Sequence, residues 1–359
     1  MRTDVAIAGG GLAGAAAACI LARAGREVVL FERQGVAADK MCGEFLSVEA
    51  QTDLERLGLD LGALGGSPIE TVRLVRGGRV AEARLPFRGL GLRRRVLDEA
   101  LLGLASASGA DIRRGITVAA VRGGLELGDG TRVPARAVFL ATGKRDLRGL
   151  RRPVAPMIGF KTYLALAPAA SRALQGAVEL VLVPGGHAGL QPVDNGRAVL
   201  CATLSPALLR RCGGTWMGVL AHLLRSSPHL AARIDAATPL LPRPLAISGV
   251  PYGFIHAGAD AETLFRLGDQ AAVIPSFTGD GMAIALWSGR AAAAAARDGQ
   301  GSAAYHRALR QTLRGQIGIA RALLRLGGGG VGQATIFAAA RMCPSVLPAI
   351  ARLTRIRGG

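Results

Sequence analysis

The chain is poor in lysine, aromatic rings, histidine and cysteine, and each shortage excludes a class of chemistry. Lysine occurs only at Lys40, Lys144 and Lys161, so the net charge of +19 is carried by arginine. Those arginines are scattered, and only 4% of residues are aromatic, which leaves few rings for bases to stack on. Nucleic-acid binding is therefore not expected. The cysteines Cys19, Cys42, Cys201, Cys212 and Cys343 are odd in number and far apart. Without a C-x-x-C pair they suggest neither a disulfide framework nor a metal. The histidines His187, His222, His229, His256 and His306 lack metal-ligand spacing. No G-x-S-x-G motif marks a nucleophilic serine, and Trp216 and Trp287 form no W-x-W motif. A long uncharged run occurs only at Val5 to Ala22. Successive glycines there would weaken a membrane helix and no cleavage-like region follows, so a reducing cytoplasm is the expected location.

What is present is a chain of 359 residues, half of them hydrophobic, long enough for two domains or one with an insertion. It is organised around its start. Val5, Ile7 and Ala8 read as an apolar strand, and Gly9, Gly11 and Gly14 satisfy G-x-G-x-x-G where that strand must turn into a helix. The first glycine permits the tight turn, the second lets a pyrophosphate approach the backbone, and the third lets helix pack on strand. The helix Leu12 to Ala24 offers its N-terminal N–H groups to phosphates and ends at Gly25. A second strand delivers Glu32, where a carboxylate can accept both hydroxyls of a ribose. Gly327, Gly329 and Gly332 repeat the glycine spacing, but they follow an Arg-rich helical stretch and read as a loop.

Further segments add chemistry. Lys40-Met41-Cys42-Gly43-Glu44 is a small polar loop before a helix, Val48 to Leu57, with Ser47 as its N-cap. Leu97, Leu101 and Leu104 follow the basic turn Arg93-Arg94-Arg95 at the spacing of one helical face. Ala135 to Leu140 reads as a buried strand ending at Thr142-Gly143, and a strand from Leu264 reaches Gly268-Asp269. A helix begins at Gly279-Asp280-Gly281-Met282 and runs through Ala296. Its N-terminus would stabilise negative charge.

Together these residues resemble the FAD-dependent oxidoreductases of the geranylgeranyl reductase and aromatic hydroxylase superfamily, typified by p-hydroxybenzoate hydroxylase. The resemblance implies a Rossmann-like α/β FAD-binding domain with a three-layer, mostly parallel sheet, an inserted antiparallel-sheet substrate domain, and a C-terminal helical segment. It divides the chain into an FAD-binding domain of residues 1–70, 90–153 and 255–300, a substrate domain of 71–89 and 154–254, and a helical segment of 301–359. It assigns FAD contacts to Gly9, Gly11, Leu12, Ala13, Gly14, Glu32 and Arg33 at the adenine and pyrophosphate end. It adds Cys42, Gly43, Arg94, Val121, Thr142 and Gly143 along the middle, and Gly268, Asp269, Gly279, Gly281 and Met282 toward the flavin ring. No metal is implied. The reductant is NAD(P)H or a reduced flavin or ferredoxin donor.

Substrate choice should lie between these segments. Met157 to Leu166, Val178 to Val183, Ala188 to Val193 and Arg197 to Leu204 read as antiparallel strands, and Ala207 to Arg225 as a helix outside them. The C-terminal stretch places Leu309, Leu313, Ile317, Ala320 and Leu324 on one helical face with arginines on others. A solvated basic face and a peripheral membrane contact are both open there. The expected activity is hydroxylation of a phenolic or lipid-like aromatic small molecule through a flavin C4a-hydroperoxide. Cys42, Tyr163, His187 and Thr278 are the candidate catalytic residues. Flavin-dependent reduction of prenyl or other carbon–carbon double bonds is the alternative, favoured by Cys42-Gly43. A non-catalytic flavin-binding partner is a third reading.

Overall fold

The computed structural model describes residues 3–154 and 157–356. Two sheets set the architecture. In the first, strands Asp111–Arg114, Val28–Glu32, Thr3–Ala8, Arg132–Leu140 and Leu264–Arg266 run parallel, in that spatial order. The period of two along Thr3–Ala8 decides the layers. Val5 and Ile7 point into a cluster with helices Leu12–Arg23, Arg94–Ala107 and Gly281–Arg297. Ala6 and Ala8 point the other way, onto Val118, Leu125 and Leu127 of an antiparallel hairpin that covers the second face.

The second sheet has nine strands and carries the substrate side. The strands read as antiparallel from the sequence pair so with one another, and Gly176–Val183 in addition lies parallel to Ser67–Arg76 on its other side. That pairing joins strands about a hundred residues apart, so local turn signals carried no trace of it. Along Gly176–Val183, Val181 and Val183 face helices Pro206–Arg211, Trp216–Ser226 and Pro228–Ile234. Val178, Leu180 and Leu182 face the opposite side. The single helix expected over 207–225 is two, because Gly213 and Gly214 adopt φ of +71° and break it.

The C-terminal helices tie the layers together. Ser302–Leu326 buries Tyr305, Leu309, Leu313 and Ile317 against the first sheet's helices. Gly330–Met342 and Val346–Leu353 then cross to the second sheet, placing Phe337, Ala340 and Leu347 on Val72, Leu74 and Ala81. Gly332, read as part of a loop, lies in the first turn of the first of these helices. Among the described residues no single helix is long and apolar enough to cross a membrane.

Candidate FAD site

The glycine turn divides its labour in a way distances make explicit. A Cβ on Gly9 (φ +109°) would sit 2.3 Å from the Ala141 carbonyl oxygen, and one on Gly14 would sit 2.0 Å from the Gly9 oxygen. Both glycines are required by the packing of strand on strand and helix on turn. Gly11 is different: a Cβ there meets only Arg94 Nη2 at 3.5 Å. The space beside Gly11 is open to a ligand. Gly11 caps helix Leu12–Arg23 without a side-chain hydrogen bond, so the first N–H groups remain available to an anion.

Glu32 ends its strand buried, its Oε2 accepting the Gly10 N–H at 2.8 Å and its Oε1 the Gln34 N–H at 3.0 Å, with Lys40 Nζ at 3.5 Å. Glu32, Gln34 and Lys40, with exposed Arg33 and half-buried Thr142 and Gly143, line a cavity of about 340 Å³. The Thr142 hydroxyl donates to the Arg145 carbonyl, so it serves the turn. Val121, expected to contact FAD, lies in the hairpin and does not line this cavity, which Ile116 and Val118 border. Lys40, from the loop before Cys42, also borders this cavity, as do Lys144 and Arg145, which carried no motif that would reveal them.

Toward the middle the cavity is charged. Arg94 forms a bidentate pair with Asp98 (2.8 and 3.0 Å), and Lys144 pairs with Asp269 (2.8 Å). Burial opposes the Asp269 carboxylate, but Lys144, Arg152 and Arg94 outweigh it and hold its pKa below the ordinary range. Gly268 is left-handed (φ +55°) and its N–H donates to Ser288 Oγ. At the far end helix Gly281–Arg297 starts with no side-chain cap and nothing within 4 Å of a Cβ on Gly281. Gly279, Gly281 and Met282 line a second cavity of about 320 Å³ that shares Gly11, Arg94, Gly143, Lys144 and Asp269 with the first. A continuous space thus runs from the acid Glu32, past two cations, to a helix N-terminus. That donor set fits a dinucleotide with a ring that gains negative charge on reduction.

Residues 2–147 match the family model described as FAD binding domain. The chain is an FAD-dependent oxidoreductase. The oxidoreductase is similar to a menaquinone reductase of Mycobacterium tuberculosis, 27% identical over 317 residues, covering 81% of this chain and 75% of that one. Its fold is that of PqsL, a probable FAD-dependent monooxygenase from Pseudomonas aeruginosa (TM-score 0.73, 20% identity, 94% and 100% of the two chains). It is equally that of a geranylgeranyl bacteriochlorophyll reductase-like protein from Thermoplasma acidophilum (TM-score 0.73, 16% identity, 98% and 99%).

On the substrate side of the oxidoreductase the expected catalytic residues separate. Cys42 lines the second cavity, its Sγ accepting the Glu44 N–H at 3.3 Å, and the Cys201 thiol lies 3.6 Å from the Cys42 carbonyl oxygen. Burial pushes the Cys201 thiol up to about 12, so it stays protonated. His187 also faces this cavity, with Nε2 3.2 Å from Ser276 Oγ and its ring edge-on to Phe277. Desolvation pushes that imidazole down to about 4, leaving it neutral. The Thr278 hydroxyl, although on the wall, donates to the Pro275 carbonyl at 2.9 Å. Tyr163 is not on the wall at all. Its hydroxyl is buried behind Glu44, donating to Oε1 at 2.7 Å, and its expected place beside a substrate is corrected.

Glu44 was read from the sequence as a residue of this loop, without a role. Its backbone is left-handed (φ 63°), and its Oε1 takes Lys161 Nζ at 2.6 Å and the Arg94 N–H at 2.9 Å besides Tyr163. Lys161 and Glu44 are both fully buried, and such a pair fixes the Cys42 loop relative to strand Ile158–Ala165. The signal was thin: a Glu after Cys-Gly and a Lys inside an apolar strand.

Proposed function

We propose that the enzyme reduces a carbon–carbon double bond of a lipophilic isoprenoid or quinone-type substrate. The observation that carries this reading is the cavity wall beyond the Gly279 turn, where Val72, Leu85, Val178, Leu180, Leu347 and Ile350 give an aliphatic lining. A prenyl chain entering it gains about 25 cal/mol for each Å² of apolar surface removed from water. A phenol would leave most of that lining unused. The name of the mycobacterial relative, a menaquinone reductase, supports a substrate of this kind.

FAD, when bound, would supply hydride chemistry at one carbon, with electrons from NAD(P)H or a reduced flavin or ferredoxin donor. The protein's part is to hold, to exclude water and to deliver the proton that the second carbon needs. The Gly281 helix start and the Arg94 and Lys144 side chains hold the anionic cofactor. The aliphatic wall excludes water. Cys42, facing the same cavity, is assigned the proton, with the protonated Cys201 thiol beside it.

A second reading, oxygenation of an aromatic ring, is favoured by the neutral His187 imidazole, which can accept a phenolic proton. Mass spectrometry separates the two. Reduced, FAD-loaded enzyme kept without oxygen and given menaquinone or a geranylgeranyl lipid is expected to return a product heavier by two hydrogens, a gain that persists after the quinone ring is reoxidised in air. Replacing Cys42 by Ala should lower that turnover while FAD reduction persists. A product that forms only in air and carries one added oxygen would defeat the proposal.

A further inference from the structure

The last sixty-one residues, 299–359, contain nine arginines and no aspartate or glutamate. Nowhere else is the chain so one-sided in charge. Arginines in a soluble helix are commonly balanced by acids on neighbouring turns; these helices carry no acid of their own, and Arg355 alone reaches one elsewhere, Asp280. The same stretch carries an unusual share of exposed apolar surface. Leu326 (50% exposed), Val331 (84%), Met342 (86%) and Leu353 (41%) are four of the nine large hydrophobic side chains exposed among the described residues. Three of the four directly follow an exposed arginine: Arg325-Leu326, Arg341-Met342 and Arg352-Leu353.

The helices present these groups outward in a regular way. In Gly330–Met342 the exposed residues Val331, Thr335, Ala338 and Met342 recur at helical spacing on one face, while Gln333, Phe337 and Ala340 are buried on the other. In Val346–Leu353 the inner residues Leu347, Ile350 and Ala351 line the cavity beyond the flavin, and Arg352 and Leu353 face out. The two helices meet at 114°, with Met342 to Ser345 exposed at the bend. One thin layer therefore separates the substrate cavity from a surface that is both apolar and cationic.

We propose that this bent helix pair, with the end of Ser302–Leu326, docks on the surface of an anionic lipid bilayer. Val331, Met342 and Leu353 enter the interface and Arg325, Arg341 and Arg352 meet lipid phosphates. Binding of this type scales with buried apolar area plus attraction to anionic headgroups, at about fivefold in partition for each arginine brought to the surface. Docked so, the helix Val346–Leu353 lies between bilayer and cavity, and a lipophilic substrate reaches the flavin without crossing water. The docking itself stands on charge and exposure and does not depend on which reaction the flavin performs.

Flotation of the FAD-loaded full chain with vesicles tests it, since no turnover is read. Wild-type protein should float with phosphatidylcholine vesicles containing phosphatidylglycerol and fall at least about tenfold with phosphatidylcholine alone or in high salt. Two variants should each lose most of that partition while keeping the flavin spectrum and melting temperature: V331D/M342D, and R325Q/R341Q/R352Q. Equal flotation with and without phosphatidylglycerol would overturn the proposal, as would flotation that survives both variants. So would failure to float combined with tight, arginine-dependent binding to a DNA duplex, which would make the surface a nucleic-acid site.

Discussion

Gly11 and Gly14 stand three residues apart in one motif and should fail in opposite ways when given a side chain. A Cβ on Gly14 lands 2.0 Å from the Gly9 oxygen, so Gly14→Ala must push the helix off its strand. Overpacking of that kind costs about 2 kcal/mol or more and should appear as a lowered denaturation midpoint. Gly11 has extended backbone (φ −76°, ψ −176°) that valine also adopts, and open space before it. Gly11→Val should therefore melt like the parent apoprotein yet bind FAD more weakly by about a hundredfold, roughly 3 kcal/mol, because the side chain occupies the pyrophosphate's place. A yellow, fully loaded G11V protein would refute the position given to the cofactor. The motif was legible in sequence; the division between packing glycine and ligand glycine required the coordinates.

Among elements, the helix Gly281–Arg297 holds the most informative junction. Its N-cap Asp280 makes no capping bond. The carboxylate turns away instead, Oδ1 accepting from Ser47 Oγ and Arg355 Nη1 at 3.2 Å each and Oδ2 from the Ile356 N–H at 2.9 Å. Arg355 also donates to the Thr278 carbonyl and lies over the rings of Phe45 and Phe87. The C-terminal strap is thereby fastened to the helix start that faces the flavin. Burial pushes the Asp280 carboxyl up to about 7, against the lowering by Arg355 and with a further push from Glu49. The folded state then holds a proton that the unfolded chain releases near its ordinary value. Stability contributed by Asp280 is accordingly greatest on the acid side and declines as pH rises from about 4 to about 7, by up to roughly 4 kcal/mol. Asp280→Asn mimics the protonated form, and its melting temperature should lack that decline over the same range. An unchanged slope in the variant would assign the titration to other groups. Helix starts, strand alternation and the βαβ opening were readable because their signals are local. Arg355 with Asp280, Lys161 with Glu44 and the parallel pairing of Gly176–Val183 were not, since each joins residues far apart in the chain and no periodicity records a partner.

At the scale of the molecule, the continuous cavity draws its walls from nearly the whole length of the chain. Gly11, Cys42, Arg94, Asp269 and Met282 are the cofactor end; Leu180, Cys201 and Ile247 come from the second sheet; Leu347 and Arg355 come from the C-terminal strap. A ligand seated there touches elements of both sheets and of the C-terminal helices at once. Ligand binding to the folded state stabilises it by about 2.7 kcal/mol at a hundredfold excess over Kd. The question is where that stabilisation appears. If FAD served the first sheet alone, slowed hydrogen exchange would stop at the glycine turn and its neighbouring helices. The shared lining argues otherwise: FAD should slow amide exchange in the Cys42 loop, in the Gly281 helix start and, through Arg355 and Asp280, in Val346–Leu353, which holds no cofactor-motif residue. Exchange compared between apoprotein and holoprotein, peptide by peptide, reads this directly. Protection confined to residues before Leu140 would show that the C-terminal helices are only a cover for the sheet, whereas protection reaching Leu353 would make cofactor loading and closure of the substrate cavity one event.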